Sequence, residues 1–516
     1  MTPSSIPEAP GAWPVLGHLP ALIRNPLGFL SSASDHGDLL RLRLGPTTVY
    51  LATHPDLVRT MLVSNATDFT RSKGAAGASR FIGPILVAVS GESHRRQRRM
   101  MQPGFQREQL KRYVVGMTAA ARATADAWRP GQVVDVQKTA ADLSLAMITK
   151  ALFRSDLGAT AEAELRVTGH DILKVARLSA IAPKLYAVLP TAAKRNMGRT
   201  SAAIREAVAA YRADGRDHGD LLSMMLRAQD AEGLTMTDQE VHDEIMGLAV
   251  AGIGGPAALT CWIFHELAHD AVLEQRLHAE LDTVLAGRLP TSADLPLLPY
   301  TQRLVKEALR MYPGWVGSRR TVRPVRLGGH DVPADVEIMY SSYALQRDAR
   351  WYRAPERLDP DRWESKETTR DVPKGAWVPF ALGTYKCIGD NFALMETAVA
   401  VAVIASRWRL RPVPGEAVRP VAKATHVFPN RLRMIAEPRT PAAPRDPAPD
   451  TASHSASAPV CDAQPAPDSA SACPSAPGSD PASACPAASA PAYPSASATD
   501  SASACPSAPP TTPRPR

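Results

Sequence analysis

Phe380-Ala381-Leu382-Gly383-Thr384-Tyr385-Lys386-Cys387-Ile388-Gly389 is the stretch on which the fold and chemistry turn. It is a glycine-punctuated loop carrying one cysteine, and Asn391-Phe392-Ala393-Leu394-Met395-Glu396 behind it makes a good helix start. A helix N-terminus offers free backbone N–H groups and the positive end of the helix dipole, both of which favour a thiolate. The same donors can hydrogen-bond the sulfur of a metal-bound thiolate and tune it. A lone cysteine is more commonly a small buried hydrophobe, so the loop by itself leaves ligand and core residue both open.

Further segments narrow the choice. Glu307-Ala308-Leu309-Arg310 puts a carboxylate and a guanidinium on one helix face, which alone is an ordinary ion pair worth little. Pro360-Asp361-Arg362-Trp363 follows it, and upstream Gly91-Glu92-Ser93-His94-Arg95-Arg96-Gln97-Arg98-Arg99 sets His94 and Arg98 one turn apart on one face. In this order the segments resemble the signature elements of cytochromes P450. The haem-binding loop Phe-x-x-Gly-x-Arg-x-Cys-x-Gly is matched at Phe380, Gly383, Cys387 and Gly389. The others are similar to the family's Glu-x-x-Arg helix, its Pro-Glu-Arg-Phe element and its C-helix. Pro10-Gly11-Ala12-Trp13-Pro14-Val15-Leu16-Gly17-His18 resembles the Pro-rich N-terminal segment, so the resemblance spans about residues 8–437.

The resemblance implies haem b with its iron on Cys387, and a Glu307–Arg310–Arg362 network that braces the cysteine loop. It implies haem contacts from Phe380, Gly383, Tyr385 and Gly389, and propionate contacts from His94, Arg98 and Arg319, with Arg320 serving if the register is off by one. Tyr385 occupies the position of the family's loop Arg, which puts one propionate contact in doubt, although a phenol still donates a hydrogen bond and Lys386 is adjacent.

A second departure lies in the long apolar-periodic stretch that the capping box Thr237-Asp238-Gln239-Glu240 opens and that runs to about His269. It contains Ala251-Gly252-Ile253-Gly254-Gly255-Pro256, where family members read Ala-Gly-x-(Asp/Glu)-Thr-(Thr/Ser). The acid and alcohol that normally organise water and deliver the protons consumed in dioxygen activation are Gly254 and Gly255. Two glycines and a proline cost several kcal/mol of helix propensity, on the order of 1 for each Gly and 3 for Pro, so a kink is expected, either the bend over the haem that the resemblance implies or one that widens the pocket. Thr260, about one turn beyond Pro256, could supply a hydroxyl if the helix turns it inward.

The rest of the chain sets the frame. Of 516 residues 45% are hydrophobic, enough for a sizeable core, and Lys plus Arg exceed Asp plus Glu by 59 to 51, a net charge of +8. The surplus reads as a solvated surface rather than a nucleic-acid footprint, and no glycine-rich phosphate loop precedes a helix. No stretch reads as a membrane span, and the first twenty residues lack a secretory pattern, so a cytoplasmic protein is expected. Leu40-Arg41-Leu42-Arg43-Leu44, Gly45-Pro46 and Val49-Tyr50-Leu51 read as a hairpin, and Tyr300 to Tyr312 as a helix stopped by Pro313-Gly314. The fold class is mainly α with small β-sheets over residues 1–437. Residues 438–516 are Ala/Ser/Pro-rich, carry four of the six cysteines, three of them (Cys473, Cys485 and Cys505) in Ser-Ala-Cys-Pro units, and read as a disordered tail.

Phe81, Ile82, Ile85 and Leu86, in an uncharged run before the C-helix, are expected to line the substrate pocket with Trp315, Val316, Val427 and Phe428. An apolar pocket favours an apolar ligand. His94 to Arg99, Tyr343-Ala344-Leu345-Gln346-Arg347-Asp348 and Asp359 to Trp363 are similar to segments of terpene-oxidising actinobacterial members. The resemblance thus implies a monooxygenase acting on a cyclic terpene or other secondary metabolite. Electrons would come from an acidic ferredoxin and its reductase, docked on Arg95, Arg96, Arg99, Arg107, Lys111 and Arg112. The Gly254-Gly255 pair keeps two alternatives in view: a peroxide-using or rearranging haem-thiolate protein, and a haem-binding module without turnover.

Overall fold

A computed structural model describes residues 6–76, 83–168 and 192–440. The segment after Pro438 expected to be disordered therefore lies, from residue 441 on, outside the described residues, as do Phe81 and Ile82.

Strand β1 (Leu39–Leu44) and β2 (Thr47–Ala52) form the hairpin expected from the alternation, with Leu44 paired to Thr47 across a Gly45–Pro46 turn. Leu40 and Leu42 are buried and Arg41 points to solvent, the period-two pattern of a half-buried strand. The hairpin is the edge of a five-stranded sheet completed by β3 (Phe69–Thr70), β4 (Gly317–Thr321) and β5 (Glu337–Tyr340) in the order β1-β2-β5-β4-β3. Only β2 and β5 run parallel. A separate two-stranded ribbon pairs β6 (Pro420–Lys423) with β7 (His426–Pro429).

Helices supply most of the core. Those that position the site are α1 (Gly91–Met101), α2 (Arg107–Asp126), α3 (Val136–Leu152), α4 (Asp238–His269), α5 (Pro299–Met311) and α6 (Asp390–Ala405). Helix α4 starts at the expected capping box: the Glu240 N–H donates to Thr237 Oγ1 (3.2 Å) and the Thr237 N–H to Glu240 Oε2 (2.8 Å). It stays helical through Pro256 and ends at His269. The missing N–H and ring of Pro256 cost about 3 kcal/mol. Burial of Ala257, Leu259, Cys261, Trp262, Ile263 and Phe264 just beyond it offsets that cost.

Among the described residues α4 is the one helix long and apolar enough to cross a membrane, with a mean hydropathy of 1.6 over its most apolar window. The expectation of no such stretch is corrected to that extent. Two thirds of that window is buried inside the protein, and an all-round apolar helix is what a central core position requires. It packs on α3, α6 and the β6–β7 ribbon.

Candidate active site

The cysteine loop folds back on itself between the segment around Val378 and α6. The Cys387 N–H donates to Phe380 O (2.9 Å), and Gly389 is the residue before the first turn of α6. Gly383 has φ +65°, and a Cβ there would lie 2.0 Å from Leu62 O, so the loop is pressed onto the backbone of the Thr60–Ser64 turn and only glycine fits. The Cys387 sulfur opens into a cavity of about 370 Å³ rather than into a protein core. Burial pushes its thiol up, and the Gly389 N–H pulls it partly back. The helix terminus alone therefore does not hold a free thiolate, whereas a bound metal cation would deprotonate it.

Behind the loop lies a buried network. Glu307 and Arg310 are both fully buried, joined by Arg310 Nε to Glu307 Oε2 (3.0 Å) and Arg310 Nη2 to Oε1 (2.8 Å). Arg362 Nε (3.2 Å), Trp363 Nε1 (2.8 Å) and the Asp359 N–H (3.1 Å) also donate to this carboxylate. Arg310 Nη1 reaches Gln346 O (2.7 Å), and the Gln346 amide donates to Leu309 O and Arg310 O while accepting from the Val378 N–H (3.0 Å). Val378 is two residues before Phe380, so the network reaches the cysteine loop through Gln346.

On another side, four basic groups converge on Tyr385. The His94 ring lies 4.6 Å from the Tyr385 ring, and the guanidiniums of Arg71 and Arg319 lie 4.5 and 5.2 Å from its centre. Arg98 Nη1 donates to Lys386 O (2.5 Å). Arg71 is anchored to the carbonyls of Val89 (2.9 Å) and Leu86 (3.0 Å). No carboxylate pairs with any of these guanidiniums among the described contacts, and both ring nitrogens of His94 are buried without a partner. Burial and the neighbouring Arg71, Arg98 and Arg319 hold the His94 imidazole down at about 4. Burial and Arg319 lower the Arg71 guanidinium to about 10. Donors left this way, buried at His94 and Arg319 and half-buried at Arg71 and Arg98, have the chemistry of a site for carboxylates.

The cytochrome P450 sequence profile matches residues 7–435. The chain belongs to the cytochrome P450 family. Cyclooctat-9-en-7-ol 5-monooxygenase of Streptomyces melanosporofaciens is 41% identical to this P450 over 442 residues, covering 84% of this chain and 95% of that protein. Pentalenene oxygenase of Streptomyces avermitilis is 37% identical over 441 residues, covering 84% and 97%. The crystal structure of the cytochrome P450DA heme domain shares the fold, with a TM-score of 0.76 at 22% identity over 86% of this chain and 99% of that one. The family carries a haem-thiolate iron. The residues of this P450 fit one, with a cysteine sulfur on one wall of the cavity and unpaired cations for propionates at its edge.

Arg71 was not visible in the sequence as a site residue, because no motif surrounds it. Its side chain enters from the end of β3 and stacks on Tyr385, the residue that replaces the family's loop Arg. It stands beside the place where that cation is missing. Arg71→Ala is expected to weaken haem retention by ~10–100-fold, the scale for partners that orient a bound group, read from the rate of haem transfer to an excess apo-globin. The pleat of β4 separates 319 and 320: Arg319 faces Tyr385 and Arg320 turns outward to Asp335 (2.6 Å).

The cavity of this P450 is lined by Ile85 and Leu86, by Val316, and by Gly247, Leu248, Ala251, Gly252, Gly255, Pro256 and Leu259 of α4. Three expected lining residues are corrected. Trp315 turns away to donate its indole N–H to Ala424 O (2.7 Å), leaving Gly314 and Val316 at the cavity. Val427 is fully buried in the core, its carbonyl accepting from Trp262 Nε1 (2.9 Å), and Phe428 lies beside Lys423. Their neighbours Thr425 and His426, at the turn into β7, line the cavity instead. Thr260 is also corrected: it is buried but is not part of the cavity wall. Glu244 was not foreseen. It lines the cavity, accepts from the Leu86 N–H (2.7 Å), and is pushed by burial up to about 8, which leaves it protonated at neutral pH.

Proposed function

We propose that this P450 is a monooxygenase that hydroxylates a cyclic terpene, with haem b held on Cys387 and electrons supplied by an acidic ferredoxin and its reductase. The observation that carries the reading is the cysteine opening into an apolar cavity edged by Arg71 and Arg98, with Arg319 behind Tyr385 and no carboxylate paired to the three among the described residues. Bound there, the haem iron would supply the oxidising chemistry. The protein's own residues do the rest. Cys387 would supply the thiolate; His94, Arg71, Arg98 and Arg319 would hold the propionates; Phe380, Gly383, Tyr385 and Gly389 would shape the loop side of the cofactor. Glu307, Arg310 and Arg362 brace the loop, and Ile85, Leu86, Val316 and Leu259 exclude water around an apolar substrate. The neutral Glu244 carboxyl offers a single polar contact to a substrate hydroxyl.

The names of the relatives support an oxygenase over a rearranging enzyme or a non-catalytic haem module, and their substrates support a terpene. For the redox partner, the docking surface is narrower than the sequence implies. Arg96 is held by Asp230 and Glu240 (2.7 Å each), Arg95 pairs with Glu92, and Lys111 with Glu108. What remains is exposed Arg99, Arg107 and Arg112, with no carboxylate partner among the described contacts, and a shallow groove on the loop side where Arg95 and Arg99 lie near Gly383 and Thr384. We keep the division into a P450 domain and a tail near residue 438, in a cytoplasmic protein. Any truncation is best made after Thr440, because Pro438 pairs with Trp408 and the Arg439 N–H donates to Arg407 O (2.7 Å).

The test is incubation of the purified protein with a panel of cyclic sesquiterpene and diterpene hydrocarbons and alcohols, a ferredoxin, its reductase and NADPH. The expected result is a product heavier by one oxygen atom, formed only with the full electron chain. Turnover of linear fatty acids with none of the cyclic terpenes would overturn the substrate class.

A further inference from the structure

The side chains missing at positions 254 and 255 leave no void, because another residue fills their place. A Cβ built on Gly254 would lie 2.8 Å from His426 Nδ1 and 2.9 Å from Cε1, and one on Gly255 would lie 3.3 Å from His426 Nε2. The imidazole is thus laid against the two glycines, in space that a side chain at 254 could take only if the ring moved aside. His426 begins β7 directly after the turn at Ala424 (φ +51°) and Thr425, bridges to Gly314, and lines the same cavity as Cys387. Thr425 Oγ1 lies 3.2 Å from His426 Nδ1, and Thr425 is exposed. The hydroxyl and the ring therefore join the cavity to the outside.

We propose that His426 is the proton-relaying residue of this P450, standing from the opposite strand in the place vacated by Gly254 and Gly255. The proposal rests on the monooxygenase reading above. Burial holds the ring down at about 4, so at neutral pH it is neutral and carries one N–H donor and one bare nitrogen acceptor. In one relay step the Nε2–H proton passes into the cavity, and Nδ1 takes a proton from the Thr425 hydroxyl. That hydroxyl is reprotonated by water, and the imidazole is left as its other tautomer. One proton crosses and no electrons move.

A ring that merely fills space would fit the same contacts, so the test must read the N–H. The C–O stretch of the dithionite-reduced carbon monoxide complex responds to a hydrogen-bond donor in the cavity whether or not a substrate is known. His426→Phe, which keeps the volume, is expected to raise that frequency, while His426→Gln, which keeps a donor, leaves it closer to wild type. With substrate and the electron chain, His426→Phe should lower product formation by ~100-fold, the low end for a positioned acid–base group, with the electrons emerging as hydrogen peroxide. The exchange variant Gly254→Glu/Gly255→Thr/His426→Ala should recover coupling. An unchanged C–O stretch together with unchanged coupling in His426→Phe would overturn the relay, as would a nitrogen-ligated iron spectrum in the wild type. If the wild type oxidises no terpene, the substrate reading fails while the C–O stretch still reports on His426.

Discussion

Cys387→Ser abolishes the red-shifted Soret band of the reduced carbon monoxide complex and lowers product formation by more than ~100-fold, beyond what losing an outer partner costs. The thiolate is the soft, strongly donating ligand that distinguishes this family's iron, and a serine hydroxyl stays protonated in the same place. The fold should survive the change. The Cys387 backbone N–H to Phe380 O bond is unaffected, and the side chain opens on a cavity rather than filling a packed core. Circular dichroism and melting of the variant should therefore match the wild type while the spectrum does not. Among the described residues the remaining cysteine, Cys261, is fully buried on α4, directs its S–H at Val136 O (3.7 Å), and has its thiol pushed far up by burial. A thiolate spectrum persisting in Cys387→Ser would mean that the assignment of the ligand is wrong.

Glu307→Ala should cost about 3–5 kcal/mol of stability, because it leaves two guanidiniums in the interior without their shared carboxylate. Arg310 is completely enclosed and Arg362 nearly so, so water cannot replace the lost partner at Arg310. The same variant removes the acceptor of the Trp363 indole and of the Asp359 N–H. Urea denaturation of the haem-loaded protein measures the loss. A second readout is haem retention, which should fall with stability because Gln346 links Arg310 to the Val378 backbone beside the loop. A loss below about 1 kcal/mol, the range of an exposed pair, would show that the network does not brace anything.

The parts of the site that the sequence displays are those whose geometry is local. Cys387, Gly383 and Gly389 sit in one short loop, and the three-residue spacing of Glu307 and Arg310 fixes their shared helix face wherever the helix lies. The capping box at Thr237 and the hairpin across Gly45–Pro46 are equally short-range. What was not legible depends on partners distant in sequence. Arg96 looks like a free docking cation until the segment around Asp230 and Glu240 closes on it. Arg71 becomes a site residue only because the sheet carries β3 next to β4. The β6–β7 ribbon shows the finest limit: its apolar residues Val427 and Phe428 suggested a lining, but His426 at the turn into β7 is the one that reaches the cavity. Gly254 and Gly255 read as a loss in the chain, and only their closeness to His426 shows what stands there instead.

Three like-charged guanidiniums and a buried imidazole gathered around one phenol have a cost before any substrate arrives. Until a dicarboxylate ligand settles among them, Arg71, Arg98 and Arg319 repel one another in a poorly solvated corner, and the folded chain carries that repulsion. A ligand that binds only the native state stabilises it by mass action, and here it also relieves a charge conflict built into the polypeptide. The newly made protein is thus dependent on cofactor supply for its own persistence: a cell short of haem would hold less of it, through turnover of the unloaded chain rather than through slower catalysis.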